Sequence, residues 1–111
     1  MSKKNTQDKS KKVLKEAGAQ KFIFTLFVTG LTSHSIRATL NIKKICEEYL
    51  YGNYELEIID ITLDPKTAVE EQILVVPYLI KKHPLPEVRM VGDLSDTAKV
   101  LEALNIPLSS I

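Results

Sequence analysis

A nearly unbroken apolar run from Phe22 to Val28 is the clearest pattern in the chain. A run of this kind, rich in aromatic and β-branched residues, is typical of a strand buried on both faces in a sheet covered by helices. Gly30 ends the run, and Thr32 and Ser33 then offer side-chain oxygens that can cap a helix. The pattern therefore predicts a central strand that is followed directly by a helix.

The next segment, from Ser35 to Tyr51, has the periodicity of an amphipathic helix, because its apolar residues recur at three- and four-residue steps. Gly52 and Asn53 are expected to stop this helix. Residues Tyr54–Ile61 first alternate and then become apolar, which predicts a second strand. A strand, a long helix and a strand form a βαβ unit, so the two strands should be parallel with a right-handed crossover. The predicted apolar stripe of the helix consists of Ala38, Ile42, Ile45, Cys46 and Tyr49.

The second half of the chain has shorter elements. Asp64 followed by Pro65 is a helix start signal, and it predicts a short helix to about Ile73. The apolar run Leu74–Ile80 predicts a third strand, with Pro77 at its entry. The remaining predicted features are a turn at Pro84 and Pro86, an antiparallel fourth strand at Glu87–Val91, and a last helix at about Thr97–Leu104 capped by Asp93, Ser95 or Asp96.

This order of elements predicts an α/β fold of the thioredoxin-like type, βαβ-α-ββ-α. It contains a four-stranded mixed sheet with helices on both faces, in one domain over residues 21–111. A length of 111 residues, 44% hydrophobic and 26% charged, agrees with one globular domain. The single cysteine permits no internal disulfide, and the chain has neither a membrane-length apolar run nor a secretory signal. We therefore expect a cytoplasmic protein.

The first 20 residues differ in charge from the rest. They contain six lysines against Asp8 and Glu16, although the whole chain carries a net charge of only +1. We interpret residues 1–20 as a flexible, solvated, Lys-rich arm. An alternative is that the arm binds nucleic acid or another anionic surface, but it lacks arginine and aromatic residues, so nucleic acid is the weaker interpretation. The lysines are Lys3, Lys4, Lys9, Lys11, Lys12 and Lys15.

Redox chemistry is the usual activity of this fold, and it requires a thiol of low pKa at the start of the first helix. The positions of the two cysteines of a C-x-x-C motif are occupied here by Thr32 and Ser35, whose hydroxyls cannot exchange disulfides. Cys46 lies three turns further along, on the apolar stripe, and is interpreted as a small buried hydrophobe. A thiol-redox protein is thus a weak alternative, and no catalytic residue is assigned.

Metal and nucleotide sites are not indicated either. His34 and His83 lack the spacing of metal ligands, and no glycine-rich phosphate-binding motif is present. Glu47-Glu48 and Glu70-Glu71 are adjacent on helices and therefore point in different directions, so neither pair forms an acid–base dyad. No metal or cofactor is predicted.

Several short segments together resemble the KaiB family. They span about residues 21–105, and their order and spacing make the resemblance specific. The segments are Leu26–Gly30, Ser35–Ala38, Ile59–Ile61 with Asp64-Pro65, Glu70–Pro77, Pro84–Pro86 and Arg89–Ser95.

The resemblance implies a non-enzymatic protein that binds KaiC, a hexameric ATPase ring, in circadian timing. It also implies a link to stress adaptation, which is where some members of the family act. The family has a second fold, in which the C-terminal half rearranges and the chain assembles into a tetramer. A homo-oligomer and an alternative tetramer fold are therefore expectations here, with the thioredoxin-like form expected to dominate.

The resemblance also suggests residues for the partner interface, on the first helix and the second strand. The candidates for partner binding are Arg37, Lys43, Lys44, Gly92 and Asp93. The candidates for turns and fold switching are Pro77, Pro84, Pro86, Gly92 and Asp93.

The chain also departs from the clock proteins of the family. Leu63 stands near a position where they carry a lysine, and we expect no counterpart of their acidic C-terminal tail. These departures favour a role in stress adaptation over one in timekeeping.

Overall fold

The structure is a computed structural model, and it describes residues 21–107. The Lys-rich arm and residues 108–111 lie outside the described residues. Within them, the chain forms four strands and three helices. Their order is a βαβ unit, a helix, a ββ hairpin and a last helix, as the sequence predicts. The elements are β1 (Phe22–Val28), α1 (Ser33–Tyr49), β2 (Tyr54–Asp60), α2 (Pro65–Glu70), β3 (Tyr78–His83), β4 (Val88–Val91) and α3 (Thr97–Ala103).

The four strands form one mixed sheet in the order β2-β1-β3-β4. β1 lies parallel to β2 and antiparallel to β3, and β4 is antiparallel to β3. The helices cover both faces of the sheet, as the sequence predicts. α1 and α3 pack on one face against Phe24, Leu26 and Leu79, and α2 packs on the other face against Phe27 and Ile80.

The first helix starts two residues before the predicted start and ends two residues before the predicted end. It begins because the Thr32 side chain caps it, accepting a hydrogen bond from the Ser35 N–H at 3.3 Å. It ends at Tyr49 because Gly52 adopts a φ of +75°, a left-handed conformation that favours glycine and turns the chain towards β2. The buried residues of α1 match the predicted stripe at Ala38, Ile42, Ile45 and Cys46, with Ser35 in addition.

The short helix α2 ends at Glu70, three residues before the predicted end. Gln72 is left-handed with a φ of 61°, and the Ile73 N–H donates to the Ala68 carbonyl at 2.9 Å. This is the Schellman arrangement, which usually has glycine at the left-handed position. Glutamine there carries no stop signal, which explains why the sequence pattern placed the end too late.

The third strand follows Pro77, the residue that the sequence places at its entry, so residues 74–76 of the apolar run are not part of it. β3 begins only at Tyr78, which is opposite Phe27 of β1, and it continues to His83. Leu74 is 95% exposed in the preceding loop. A proline has no N–H for a strand ladder, so Pro77 marks the end of the loop and not the interior of the strand. The peptide bonds before Pro77, Pro84 and Pro86 are cis.

No helix within residues 21–107 is long and apolar enough to cross a lipid bilayer. In the same part of the chain, no three side chains of histidine, cysteine, aspartate or glutamate come together as a set that could hold a metal ion.

Candidate protein-docking site

The loop between β1 and α1 is held by hydroxyl groups at the positions where a redox protein has its thiols. The Ser35 hydroxyl is buried and accepts a hydrogen bond from the Thr29 N–H at 3.1 Å. Thr32 caps the helix, as described above. Both hydroxyls therefore have a structural role in fixing the start of α1 beside the end of β1.

Cys46 is far from this loop along α1 and is fully buried in the core. Burial, and then the nearby Glu47 carboxylate, raise the pKa of the Cys46 thiol to about 12. The thiolate is the reactive form of cysteine, so this side chain is protonated and unreactive near neutral pH. The structure thus supports the interpretation of Cys46 as a small hydrophobic core residue.

The structure brings together three of the residues that the resemblance suggested, from two distant parts of the chain. Arg37 on α1 pairs with Asp93, with its Nε 3.3 Å from the carboxylate Oδ2. Asn41, one turn further along α1, donates to the Asp93 carbonyl at 2.8 Å. The loop that starts at Gly92 is therefore fastened to α1 through both the side chain and the backbone of Asp93.

Further contacts fix the shape of this loop. The hydroxyl and N–H groups of Ser95, and then Arg37, hold the pKa of the Asp93 carboxyl below its usual range. The Gly92 N–H donates to the Pro77 carbonyl at 3.0 Å, and Gly92 has a φ of +120° that side-chain-bearing residues rarely adopt. Pro77 and Gly92 thus lie side by side at the same end of the sheet as Arg37.

The other suggested residues do not join this cluster. Lys43 and Lys44 are exposed on α1, and Lys44 lies two turns from Arg37 on the same side of the helix. Pro84 and Pro86 lie in the turn between β3 and β4. That turn follows His83, which is opposite Ile23, so it is at the other end of the sheet from Arg37.

An apolar groove lies on the other side of α1, between this helix and the edge strand β2. Its volume is about 310 Å³, and its exposed apolar side chains include Leu31, Ile36 and Leu40 from α1 and its preceding loop, and Ile58 from β2. Leu31 is 87% exposed and Leu40 is 61% exposed. A monomer rarely exposes several large apolar side chains together unless another molecule covers them.

One carboxylate lines this groove. Asp60, at the end of β2, accepts hydrogen bonds from the Thr62 hydroxyl at 2.6 Å and from the Gly30 N–H at 3.0 Å. These bonds, those from Thr62 first, lower the pKa of the Asp60 carboxyl, so it is ionised near neutral pH. The first half of α1 therefore presents a polar cluster on one side and an apolar groove on the other, which we call the α1 surface.

The sequence interpretation missed the groove and Asn41. Leu40 gave the available signal, since it is a large apolar residue outside the buried stripe of α1. The proximity of Ile58 to Leu40 depends on how α1 packs on β2, and no local pattern contains that information.

The fold and the loop chemistry define the class: this is a thioredoxin-like domain without the dithiol. Comparison with solved structures agrees on the fold. Chloroplastic thioredoxin z superimposes with a TM-score of 0.65 at 16% identity, covering 86% of both chains. The N-terminal domain of SasA from Synechococcus elongatus superimposes with a TM-score of 0.64 at 24% identity, covering 84% of this chain and 90% of that one.

The sequence comparisons go further, and the chain belongs to the KaiB family. The KaiB domain family model matches residues 25–106. Circadian clock protein KaiB3 of Synechocystis sp. is 44% identical over 86 residues, which are 78% of this chain and 84% of the relative. Circadian clock oscillator protein KaiB of Synechococcus elongatus is 44% identical over 85 residues, which are 77% and 83% of the two chains. The resemblance found from the sequence is confirmed, and this family is one of clock regulators and not of enzymes.

Proposed function

We propose that this chain is a non-enzymatic regulator that binds a KaiC-type hexameric ATPase through the α1 surface. The observation that carries the proposal is the attachment of Asp93 to α1. Arg37 and Asn41 bind its carboxylate and its carbonyl, so residues separated by more than fifty positions form one shaped surface. The clock names of the relatives support the class of partner.

The chemistry of the α1 surface suits a protein partner. The groove offers apolar area for burial, which supplies most of the affinity of protein complexes. The Arg37–Asp93 pair lies on the other side of α1 from this groove, with the Arg37 side chain 50% exposed and the Asp93 side chain 26% exposed. Partly exposed charges at the rim of an interface orient the partner and raise the rate of association.

Binding is tested by size-exclusion chromatography and titration with the purified KaiC-type ATPase of the same organism, with ATP and with ADP. We expect a stable complex in at least one nucleotide state. Arg37→Ala should weaken it about tenfold or more, because it removes a charged contact and releases the loop at Asp93. Lys66→Ala is the matched control, since Lys66 is an exposed cation on α2, which packs on the opposite face of the sheet.

The groove is tested in the same way. Leu40→Ser should weaken binding, whereas Val69→Ser, which replaces an apolar residue that is 76% exposed on α2, should not. If the wild type binds and neither Arg37→Ala nor Leu40→Ser weakens the binding, the interface lies elsewhere on the domain. Absence of binding in both nucleotide states would reject the function itself.

The regulated process is a separate part of the proposal. We propose stress adaptation in the cytoplasm, and the support is Leu63, which is 83% exposed where clock relatives are expected to carry a lysine. A deletion strain should then lose survival under oxidative or osmotic stress and keep the period of any daily rhythm. A changed period with normal survival would instead indicate a timekeeping role.

Self-association belongs to the same proposal, and we propose a dimer or tetramer. Leu85 supports it, because this side chain is 76% exposed in the turn between β3 and β4. Light scattering across a concentration series gives the mass directly. A monomer mass at every concentration would reject self-association without affecting the binding of the ATPase.

A further inference from the structure

Arg37 has a second side-chain partner besides Asp93. Its terminal nitrogen Nη2 lies 3.0 Å from Nδ1 of His34, while its Nε lies 3.3 Å from the Asp93 carboxylate. His34 is in the first turn of α1, three residues before Arg37, so the two side chains lie on the same side of the helix. The guanidinium is therefore held from two directions, by an imidazole and by a carboxylate.

The chemistry of this contact fixes the protonation state of His34. A guanidinium only donates hydrogen bonds, so Nδ1 of His34 accepts one from Arg37. In a neutral imidazole one nitrogen accepts and the other carries the proton, so the proton of His34 is on Nε2. A second proton would remove the acceptor and place an imidazolium beside the guanidinium. The hydrogen bond between His34 and Arg37 therefore exists only while His34 is neutral.

Few other charged groups surround this contact. The loop between β1 and α1 (residues 29–32) contains no titratable side chain, and neither does the segment before β3 (residues 73–77), which contacts Gly92. The loop after β4 contributes the Asp93 carboxylate. Ser95 first, and then Arg37, lower the pKa of this carboxyl, so it is ionised near neutral pH.

The start of α3 contributes the remaining charges. Asp96 and Lys99 line, together with Asp93, a cavity of about 190 Å³. The Asp96 carboxylate accepts a hydrogen bond from the Lys99 N–H. Histidine is the one residue type in this neighbourhood whose charge ordinarily changes between about pH 5 and 8. A change of charge within that range therefore originates at His34.

We propose that His34 is a positioning residue for Arg37 and makes the α1 surface sensitive to pH. Neutral His34 and ionised Asp93 together hold the guanidinium in one orientation. Protonated His34 repels the guanidinium and competes with it for the Asp93 carboxylate, so Arg37 loses that orientation. The functional consequence, weaker binding of the ATPase in mild acid, rests on the function proposed above.

The orientation of Arg37 is tested on the free protein by NMR between about pH 5.5 and 8. The imidazole signals follow the titration of His34, and the Arg37 Nε–H and the Asp93 backbone N–H report the contact. We expect the Arg37 and Asp93 signals to shift with the same midpoint as His34. These shifts should disappear in His34→Gln, because its side-chain oxygen accepts a hydrogen bond at every pH. Arg37 and Asp93 signals that do not follow His34 would overturn the proposal.

The consequence for binding is tested by titrating the KaiC-type ATPase with the wild type and with His34→Gln. The ratio of their dissociation constants cancels the pH dependence of the ATPase itself. Relative to His34→Gln, the wild type should bind about threefold more weakly at about pH 5.5 than at about pH 7.5, as expected for a partly exposed charged contact. His83→Gln is the matched control, since His83 is the other histidine of the chain and lies at the opposite end of the sheet. It should keep the pH dependence of the wild type.

The two measurements separate this inference from the proposed function. If the ATPase binds at neither pH, the function is rejected, and the NMR titration still decides whether His34 positions Arg37. If the ATPase binds and the ratio is the same at both pH values, or favours the wild type in acid, the role of His34 is rejected and the binding stands. Loss of the pH dependence in His83→Gln would also overturn the assignment to His34.

Discussion

The N-terminal half, β1-α1-β2, and the C-terminal half, α2 to α3, are held together in different ways. β1 and β2 align over seven residue pairs, and α1 has 17 residues with a buried apolar stripe. In the C-terminal half the helices have six and seven residues, and β3 and β4 align over four pairs. The first half is therefore held together by apolar packing along a long helix and two long strands. The second half has shorter helices and strands, and so less apolar packing.

Specific polar contacts supplement packing in the C-terminal half. Glu71, at the end of α2, pairs with Lys82 of β3 at 2.8 Å and with Arg89 of β4 at 3.2 Å. The Lys81 ammonium of β3 donates to the Leu104 carbonyl, at the end of α3, at 3.1 Å. The side-chain-bearing residues with positive φ among residues 21–107 are all in this half, at Gln72, Leu94 and Asn105. We therefore expect truncation of a large apolar side chain to lower the free energy of unfolding most in the first half. Single polar substitutions should matter most in the second half.

The largest expected effect is on packing around β1. Leu26→Ala should lower the free energy of unfolding by about 3–5 kcal/mol, because Leu26 is fully buried and its removal leaves a cavity. Urea denaturation followed by far-ultraviolet circular dichroism measures the loss. Leu63→Ala is the control, with an expected change within about 0.5 kcal/mol for a side chain that is 83% exposed. Similar losses in both variants would contradict the assigned core.

A smaller change in the free energy of unfolding is expected when the ion pairs of Glu71, at the end of α2, are removed. Glu71→Gln should lower the free energy of unfolding by about 1–2 kcal/mol, because Lys82 and Arg89 lose their common partner. The neighbouring, exposed Glu70→Gln should change it by less than about 0.5 kcal/mol. Denaturation curves of both variants give the comparison directly.

The effect of Glu71 should depend on pH. The hydrogen bond and charge of Lys82, and then Arg89, lower the pKa of the Glu71 carboxyl. Its contribution is therefore complete above the unfolded value of about 4.3 and is lost as the pH falls through the lowered folded value. The difference between the wild type and Glu71→Gln should shrink in acid. A difference that stays constant to about pH 2 would show that charge is not its cause.

The smallest expected effect is at the start of α3. The Asp96 carboxylate caps this helix by accepting a hydrogen bond from the Lys99 N–H at 3.2 Å. Asp96→Ala should cost about 1 kcal/mol and speed amide exchange in α3, whereas Asp96→Asn, which keeps an acceptor, should cost less. Exchange in α3 that is the same in all three proteins would show that the cap does not stabilise the helix.

The sequence by itself determined the order of the elements, the buried stripe of α1 and the family, because periodicity and short motifs are local properties. It also placed hydroxyls at Thr32 and Ser35 where thiols would be required for redox chemistry. The left-handed stop at Gln72 and the extension of β3 past Ile80 to His83 escaped it, because glutamine carries no turn signal and β1 offers pairing partners as far as Ile23.

Only the tertiary structure decided which distant residues meet. The pairing of Arg37 with Asp93, the groove at Leu40 and the burial of Lys81 all depend on how helices pack on the sheet. In sequence, Lys81 and Lys82 are adjacent and chemically identical. Successive side chains of a strand point to opposite faces, so one lysine enters the core under α3 while the other reaches Glu71 on the opposite face.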